Sequence, residues 1–499
     1  MKNIKKYLAG LMAISMVAGL TACGGDDTSS GSGNKPSDAQ DVIDEAREEE
    51  TTVTTTAKTV ALNTEELKED EAAVLDDIMT QLQDVEMENK TVKWLAHYDI
   101  NPSTATGASK SVALEMFEKK YGGTIEYHAT TWNTRYDDLS TKVLGGEGID
   151  IFPGDDTANF PKGVISGMFQ PVDDYIDINS ELWQNVGASM ELLNFNGKHY
   201  ELVTSTTAEA LVIYDKSTIE AQGLDDPWDL YESGEWNWDT FKGMLLDFVD
   251  MDSDQWGLDG YWTEKALFLS AGVPFVSVTE DGLVCNVNDA TVEKAMNYQY
   301  DLFTNGLVLP REQFAWAEQP QMMGEGRQLF YIIGGYAIQA DPETWTTGID
   351  PENLGIVPVP GPADGEAYYG AKLNGYALCK GAQNPQGAAL FAECNILGGS
   401  DERAVAISDR KALDDYSWSE EILTKFKEID DLARQKPVID LSTGCSTDIQ
   451  SLTTDGGDNI GLRAALHGID WATNRETIAE VLIMLVDEVD ANLKAAQAE

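Results

Sequence analysis

The run Gly355-Ile356-Val357-Pro358-Val359-Pro360 constrains this chain more than any other stretch. Each proline locks its own φ and pushes the residue before it into extended geometry, so these residues make a stiff, extended crossing and not a helix. A turn rich in Gly, Pro and Asp follows from Gly361 to Gly365, then a strand-like run from Leu373 to Cys379. Asn384-Pro385 opens a helix, because asparagine suits the N-cap and proline costs nothing at the first helical position. Leu390, Phe391, Cys394 and Leu397 share one face of that helix, and Gly398-Gly399 is expected to end it.

Earlier in the chain strand and helix alternate. Thr91 to Tyr98 reads as a strand, and Ser109 to Tyr121 as a helix with Val112, Leu114, Met116 and Phe117, stopped by Gly122-Gly123. Thr124 to Ala129 is a second strand, Arg135 to Leu144 a helix ended by Gly145-Gly146, and Gly148 to Phe152 a third strand. That rhythm predicts a parallel sheet with helices on its faces. Ligands of such sheets sit beyond the carboxyl ends of the strands. The loops there hold Tyr98, Trp132, Asp155 and Asp156, which become candidate ligand contacts.

The phrases GIVPVPGP, NGYALCKGAQNP and AALF, in that order, resemble the second inter-lobe crossing of extracellular solute-binding proteins of family 1, the substrate receptors of bacterial ABC sugar importers. GGEGIDIFPGDD resembles a strand-and-cleft segment of the same family. Gly197 to Val203 and Leu211 to Lys216 resemble its first crossing, with Asp215 where relatives carry asparagine. Trp236 to Phe241 resembles a helix opening whose tryptophans belong to the core. Met322 to Ile338 resembles a cleft segment in which Tyr336 replaces a tryptophan and keeps a stacking face. Arg475 to Val486 resembles the closing helix.

The resemblance implies an α/β fold of the two-lobed, type II periplasmic-binding-protein kind, each lobe a mainly parallel sheet flanked by helices and joined by hinge crossings. It implies one lobe from residues 90–205 and 358–405 and another from 206–357 and 406–499. It also implies site residues. Glu209 falls where the family keeps a cleft glutamate, although an exposed glutamate at a hinge reads equally well. Trp262 follows the strand-like Gln255 to Tyr261 and is expected to be a stacking platform, Tyr336 a second one, and Asn374 to face the ligand.

The N-terminus reads as a lipoprotein leader over residues 1–23. Lys2, Lys5 and Lys6 precede an apolar run from Tyr7 to Leu20, too short to span a bilayer comfortably, and Leu20-Thr21-Ala22-Cys23 resembles a lipobox. Cys23 would then carry the lipid, and two acyl chains hold a protein at a membrane where one is marginal. Residues 24–62 are Gly, Ser, Thr and acidic residues with little to bury, hence a tether. Residues 63–89 suit a helix capped by Asn63, whose stripe of Leu67, Leu75, Ile78, Leu82 and Val85 is expected to dock on the body.

The remaining span, about 410 residues, exceeds what one core accommodates. A net charge of −52 argues against nucleic acid and anionic lipid headgroups as partners. Of the five cysteines, Cys285, Cys379, Cys394 and Cys445 read as small core residues, and the sequence allows a Cys379–Cys394 bridge without requiring one. Asp250, Asp252 and Asp254 alternate as in a calcium loop, but Gln255 and Tyr261 stand where an EF-hand needs glycine and glutamate, so no metal is expected.

Four histidines form no HExxH pair, and neither a GxSxG elbow nor a GxxxxGK[ST] loop is present. Carboxylate pairs carry no weight among 86 acidic residues. The expectation is a monomeric, lipid-anchored extracellular receptor, not an enzyme and without cofactor. It would bind a carbohydrate with aromatic platforms and polar rim contacts and deliver it to the transmembrane subunits of an ABC permease. The alternatives are a receptor of the same fold for a non-sugar solute such as a polyamine, and a secreted glycoside hydrolase.

Overall fold

Local capping turns the alternating pattern into defined elements. In the computed structural model, strand β1 (Thr91–Ala96) leads to helix α2 (Val112–Tyr121), which opens with the Ser111 side chain accepting from Leu114 N and closes on left-handed Gly122. β2 (Thr124–Ala129), α3 (Arg135–Gly145) and β3 (Ile151–Pro153) follow. β1 pairs in parallel with both β2 and β3. The structure describes residues 69–102, 109–155, 159–279, 281–454 and 459–497. The leader, Cys23, the tether, residues 63–68 of the expected N-terminal helix and Asp156 lie outside the described residues.

The first sheet is completed by strands from far along the chain. β4 (Glu201–Ala208) pairs antiparallel with β11 (Tyr369–Leu378), β11 pairs antiparallel with β3, and β12 (Pro437–Val438) pairs in parallel with β11. The order is β12-β11-β3-β1-β2, with β4 also on β11. The β11–β4 register shifts between Asn374 and Gly375. Gly375 has φ +153°, and a Cβ there would sit 2.2 Å from Leu202 O, so only glycine fits the bulge.

Between β4 and β11 the chain builds a second sheet, ordered β10-β5-β9-β6. Its strands are β5 (Leu211–Asp215), β6 (Trp256–Asp259), β9 (Gln328–Ile333) and β10 (Leu354–Val357). A hairpin of β7 (Val276–Thr279) and β8 (Gly282–Cys285) stands apart. The fold is mixed α/β as expected, but the second sheet is less parallel than the resemblance implies. Only β6–β9 is parallel there, while β5 runs against both β9 and β10. β5 enters from the first sheet and so runs opposite to strands that end where it begins.

The two sheets are joined twice, at Glu209-Ala210 between β4 and β5, and at residues 358–368 between β10 and β11. Tryptophans fasten the second crossing: Trp236 Nε1 donates to Pro358 O at 2.8 Å, and Trp238 Nε1 donates to Pro360 O at 2.9 Å. Trp238 opens helix α4 (Trp238–Phe248), whose cap is Asn237, accepting from Asp239 N and Thr240 N. Helices α5 (Thr263–Leu269) and α6 (Ala290–Thr304) complete this part. Then come α7 (Pro385–Ser400), α8 (Glu402–Tyr416), α9 (Glu420–Gln435) and α10 (Trp471–Gln497).

Helix α7 departs from expectation in its length. It runs through Gly398-Gly399 to Ser400, where the pair was expected to end it. The helix is apolar nearly all round and buried, and α2 packs on it, with Met116 and Val112 facing Gly398. Packing outweighs the weak helix propensity of two glycines.

The N-terminal segment docks as expected, though its helix α1 (Glu69–Ile78) stops early and continues as a single 3₁₀ turn, Met79–Gln81. Leu75, Ile78 and Leu82 are buried. Polar groups reinforce the contact: Arg410 pairs with Glu71 at 2.8 Å, Lys119 with Asp76 at 2.8 Å, and Gln83 Nε2 donates to Glu393 at 2.7 Å. Cys285, Cys379, Cys394 and Cys445 are all unpaired, so the Cys379–Cys394 bridge the sequence allowed is not formed. No helix among the described residues is long and apolar enough to cross a membrane.

Candidate functional site at the crossings

Strand direction collects the candidate residues at one edge of each sheet. In the first sheet the carboxyl ends of β1, β2 and β3 lead to Tyr98, Trp132 and Asp155, and β11 begins and β4 ends at that same edge. In the second sheet the carboxyl ends of β6 and β9 lead to Trp262 and Tyr336, and β10 ends and β5 begins there. Both crossings leave from these edges.

A recess lies against the crossings. It is lined by Glu209 and Ala210 of the first, Val359 of the second, Tyr369 and Gly370 at the start of β11, and Trp262 and Ala266. Glu209 N donates to Gly370 O at 2.9 Å, which ties one crossing to the strand that follows the other. The Glu209 carboxylate pairs with Lys265 of α5, whose ammonium stands 5.2 Å from the Trp262 ring centroid. A Cβ on Gly370 would approach the Glu209 carboxylate to 3.3 Å, so glycine there keeps the approach open. Tyr336 packs over Gly334 beside Glu209 O and leaves 44% of its surface exposed. Trp262 Nε1 is buried without a hydrogen-bond partner among the described residues. Burial pushes the Tyr369 phenol up to about 12, with Glu428 adding to it, so the group stays a neutral donor.

A polar strip runs from this recess into the first sheet. Along β11 the alternation places Gly370, Lys372 and Asn374 on the half-exposed face and Tyr369, Ala371 and Leu373 inside. Lys372 stands 3.8 Å from Asp155. Asn374 Nδ2 donates to Ser205 Oγ at 3.1 Å and Thr207 Oγ1 at 2.9 Å, both on β4. Its amide is therefore engaged within the sheet.

Tyr98 and Trp132 form a separate aromatic corner. His97 lies between them, edge-on to both, with ring centroids at 4.9 Å and 5.1 Å. The Arg135 guanidinium covers the Trp132 ring at 3.6 Å. The structure thus joins Glu209, Trp262 and Tyr336 at the crossings, Asp155 and Asn374 on the strip, and Tyr98 and Trp132 at the corner. Sequence reasoning missed Lys265, Tyr369 and Lys372. Lys265 lies one helical turn from Trp262, and Lys372 two strand residues before Asn374, so periodicity from the named candidates could have found both.

The profile of the bacterial extracellular solute-binding proteins matches residues 101–394. The chain belongs to that family. Its members are binding proteins and not enzymes, and the fold is the two-lobed, type II kind. No curated protein sequence matches.

Among solved structures, this solute-binding protein is similar to the ABC substrate-binding protein of Listeria monocytogenes in complex with cycloalternan, at 14% identity, covering 82% of this chain and 100% of that one, with TM-score 0.54. It is similar to the GacH receptor of Streptomyces glaucescens, solved unliganded and with acarbose, at 15% identity, 80% and 98% coverage and TM-score 0.55. It is also similar to the galacto-N-biose-/lacto-N-biose I-binding protein of Bifidobacterium longum, at 13% identity, 79% and 97% coverage and TM-score 0.54. At these identities the likeness is one of fold.

Proposed function

We propose that this solute-binding protein is the substrate receptor of an ABC importer, and that it binds a carbohydrate, an oligosaccharide in particular, between two lobes. Lobe 1 would comprise residues 90–205 and 358–405, and lobe 2 residues 206–357 and 406–499, with β12 lent to the first sheet. The observation that carries the reading is the meeting of Trp262, Tyr336 and Glu209 where the chain crosses between sheets. A sugar offers apolar C–H faces to flat rings and hydroxyls to a carboxylate, and these three residues supply both kinds of contact. Tyr98, Trp132 and Asp155 would extend the contact along the first sheet's edge, and the crossings would be the hinges about which the lobes close. The structural relatives were solved with acarbose, cycloalternan and lacto-N-biose, which supports a saccharide guest.

A lipid on Cys23 would hold the receptor on the outer face of the membrane, where as a monomer it hands its ligand to the permease's transmembrane subunits. A cationic solute is disfavoured because Glu209, the only acidic residue lining the recess among the described residues, already has Lys265 as its partner. Isothermal titration of the full chain against a panel of neutral oligosaccharides tests the proposal, with one or more expected to bind. Binding of a polyamine instead, weakening steeply with salt, would select the non-sugar receptor. Hydrolysis of a panel member would select the hydrolase.

A further inference from the structure

Helix α5 has two faces with different neighbours. Lys265 and Ala266 look to the recess at the crossings, together with Trp262 just before the helix. Thr263, Glu264 and Leu267 look the other way, into a separate cavity walled by Gln299 of α6, Arg311 and Leu466. Thr263, Glu264, Gln299 and Arg311 are each at most 7% exposed, so this wall is polar and buried.

Its hydrogen bonds do not close. Arg311 donates through Nε to Asp259 at 2.9 Å, through Nη1 to Glu318 at 2.8 Å and through Nη2 to Gly260 O at 2.9 Å. Glu264 stands 3.8 Å from Nη1, outside hydrogen-bond reach. One guanidinium therefore answers three buried carboxyl groups, and two of them already hold it. Among the described residues Glu264 Oε1, Gln299 Oε1 and Thr263 Oγ1 have no hydrogen-bond partner, while Gln299 Nε2 is committed to Glu264 O at 2.9 Å. Ionised, Glu264 would be a third buried negative charge whose Oε1 has no donor, and the acid form removes that charge.

We propose that Glu264 is a proton site, held as the neutral acid in the folded protein, whose ionisation shifts α5 and with it the Trp262 and Lys265 wall of the recess. The charged groups facing it are Arg311, which favours ionisation, and Glu318 and Asp259, which oppose it. α6 presents Gln299, and the segment around Ala465 and Leu466 presents apolar groups. Burial is the largest influence and pushes Glu264 up to about 7. The effect on ligand binding rests on the recess being the ligand site, but the proton site itself does not.

The test uses the ligand-free, full-length protein between about pH 5 and pH 9. Infrared titration, taken as the difference between the parent and Glu264→Gln because Asp430 is also a buried carboxyl raised to about 6, should show the carbonyl band of a buried protonated carboxyl, lost on passing about pH 7. Tryptophan fluorescence should step over the same range in the parent and lose that step in both Glu264→Gln and Trp262→Phe. Glu318→Gln removes a negative charge that opposes ionisation of Glu264 and should move the step to lower pH, which keeps the test open if Glu264→Gln folds poorly. A step that survives in Glu264→Gln, a difference spectrum without the band, or a step unmoved in Glu318→Gln overturns the proposal. Failure of the sugar panel would leave these readouts untouched.

Discussion

Residues at the crossings divide into rings that face solvent and charges that hold one another. Tyr336 is exposed enough that Tyr336→Ala should change stability by less than about 1 kcal/mol while weakening ligand binding about tenfold. Calorimetry and a melting curve on the same preparation separate the two effects, and a large loss of melting temperature would reassign the ring to the core. Trp262→Ala should also weaken binding, with a larger stability cost because the ring is half-buried against Lys265 and Tyr261. The Glu209–Lys265 pair is only 15% and 18% exposed. Glu209→Gln removes the charge of this pair and should cost about 1–3 kcal/mol in urea unfolding, with ligand affinity falling in parallel. Unchanged unfolding would mean that the pair adds nothing to stability.

At the scale of the element, caps and registers decide where the site residues point. Asn384 accepts from Gly387 N at the start of α7, and its Nδ2 donates to Asn89 O and Thr91 O, both at 2.9 Å. It therefore stitches the α7 N-terminus to the start of β1. Asn384→Ala should cost about 2–3 kcal/mol, more than a cap alone, read as a lower urea midpoint at constant slope. Docking of α1 is testable in the same way. Leu75 is fully buried, so Leu75→Ala should destabilise the protein by about 2–5 kcal/mol if the segment unfolds together with the body. A separate, earlier transition would show that α1 detaches on its own. The Asn384-Pro385 start was legible in the sequence because it is encoded by adjacent residues. The end of α7 was not, because Gly398-Gly399 is held helical by contacts that a local pattern does not contain.

For the molecule as a whole, the two strand-to-strand crossings at Glu209-Ala210 and at residues 358–368 are accompanied by α9, which packs in the core of the second sheet and leads into β12 of the first, and together these segments would form the hinge. If the recess is the ligand site, a bound saccharide contacts both sides and should favour a closed form. Small-angle scattering should then show a smaller radius of gyration on saturation, together with a raised melting temperature. Binding without any compaction would mean that the lobes do not move about the crossings.

The sequence alone determined the units of this protein. Proline pairs, helix caps and alternating apolar residues act over a few neighbours, and they located the second crossing and the strands β1, β2 and β3, while the candidates Trp262 and Tyr336 came from resemblance to the solute-binding family. Only the tertiary structure decided which groups meet. The Glu209–Lys265 pair, the contact of Lys372 with Asp155, the capture of Asn374 by Ser205 and Thr207, and the antiparallel run of β5 all join residues distant along the chain. Such pairings depend on register and packing among whole elements, which no local run of residues specifies.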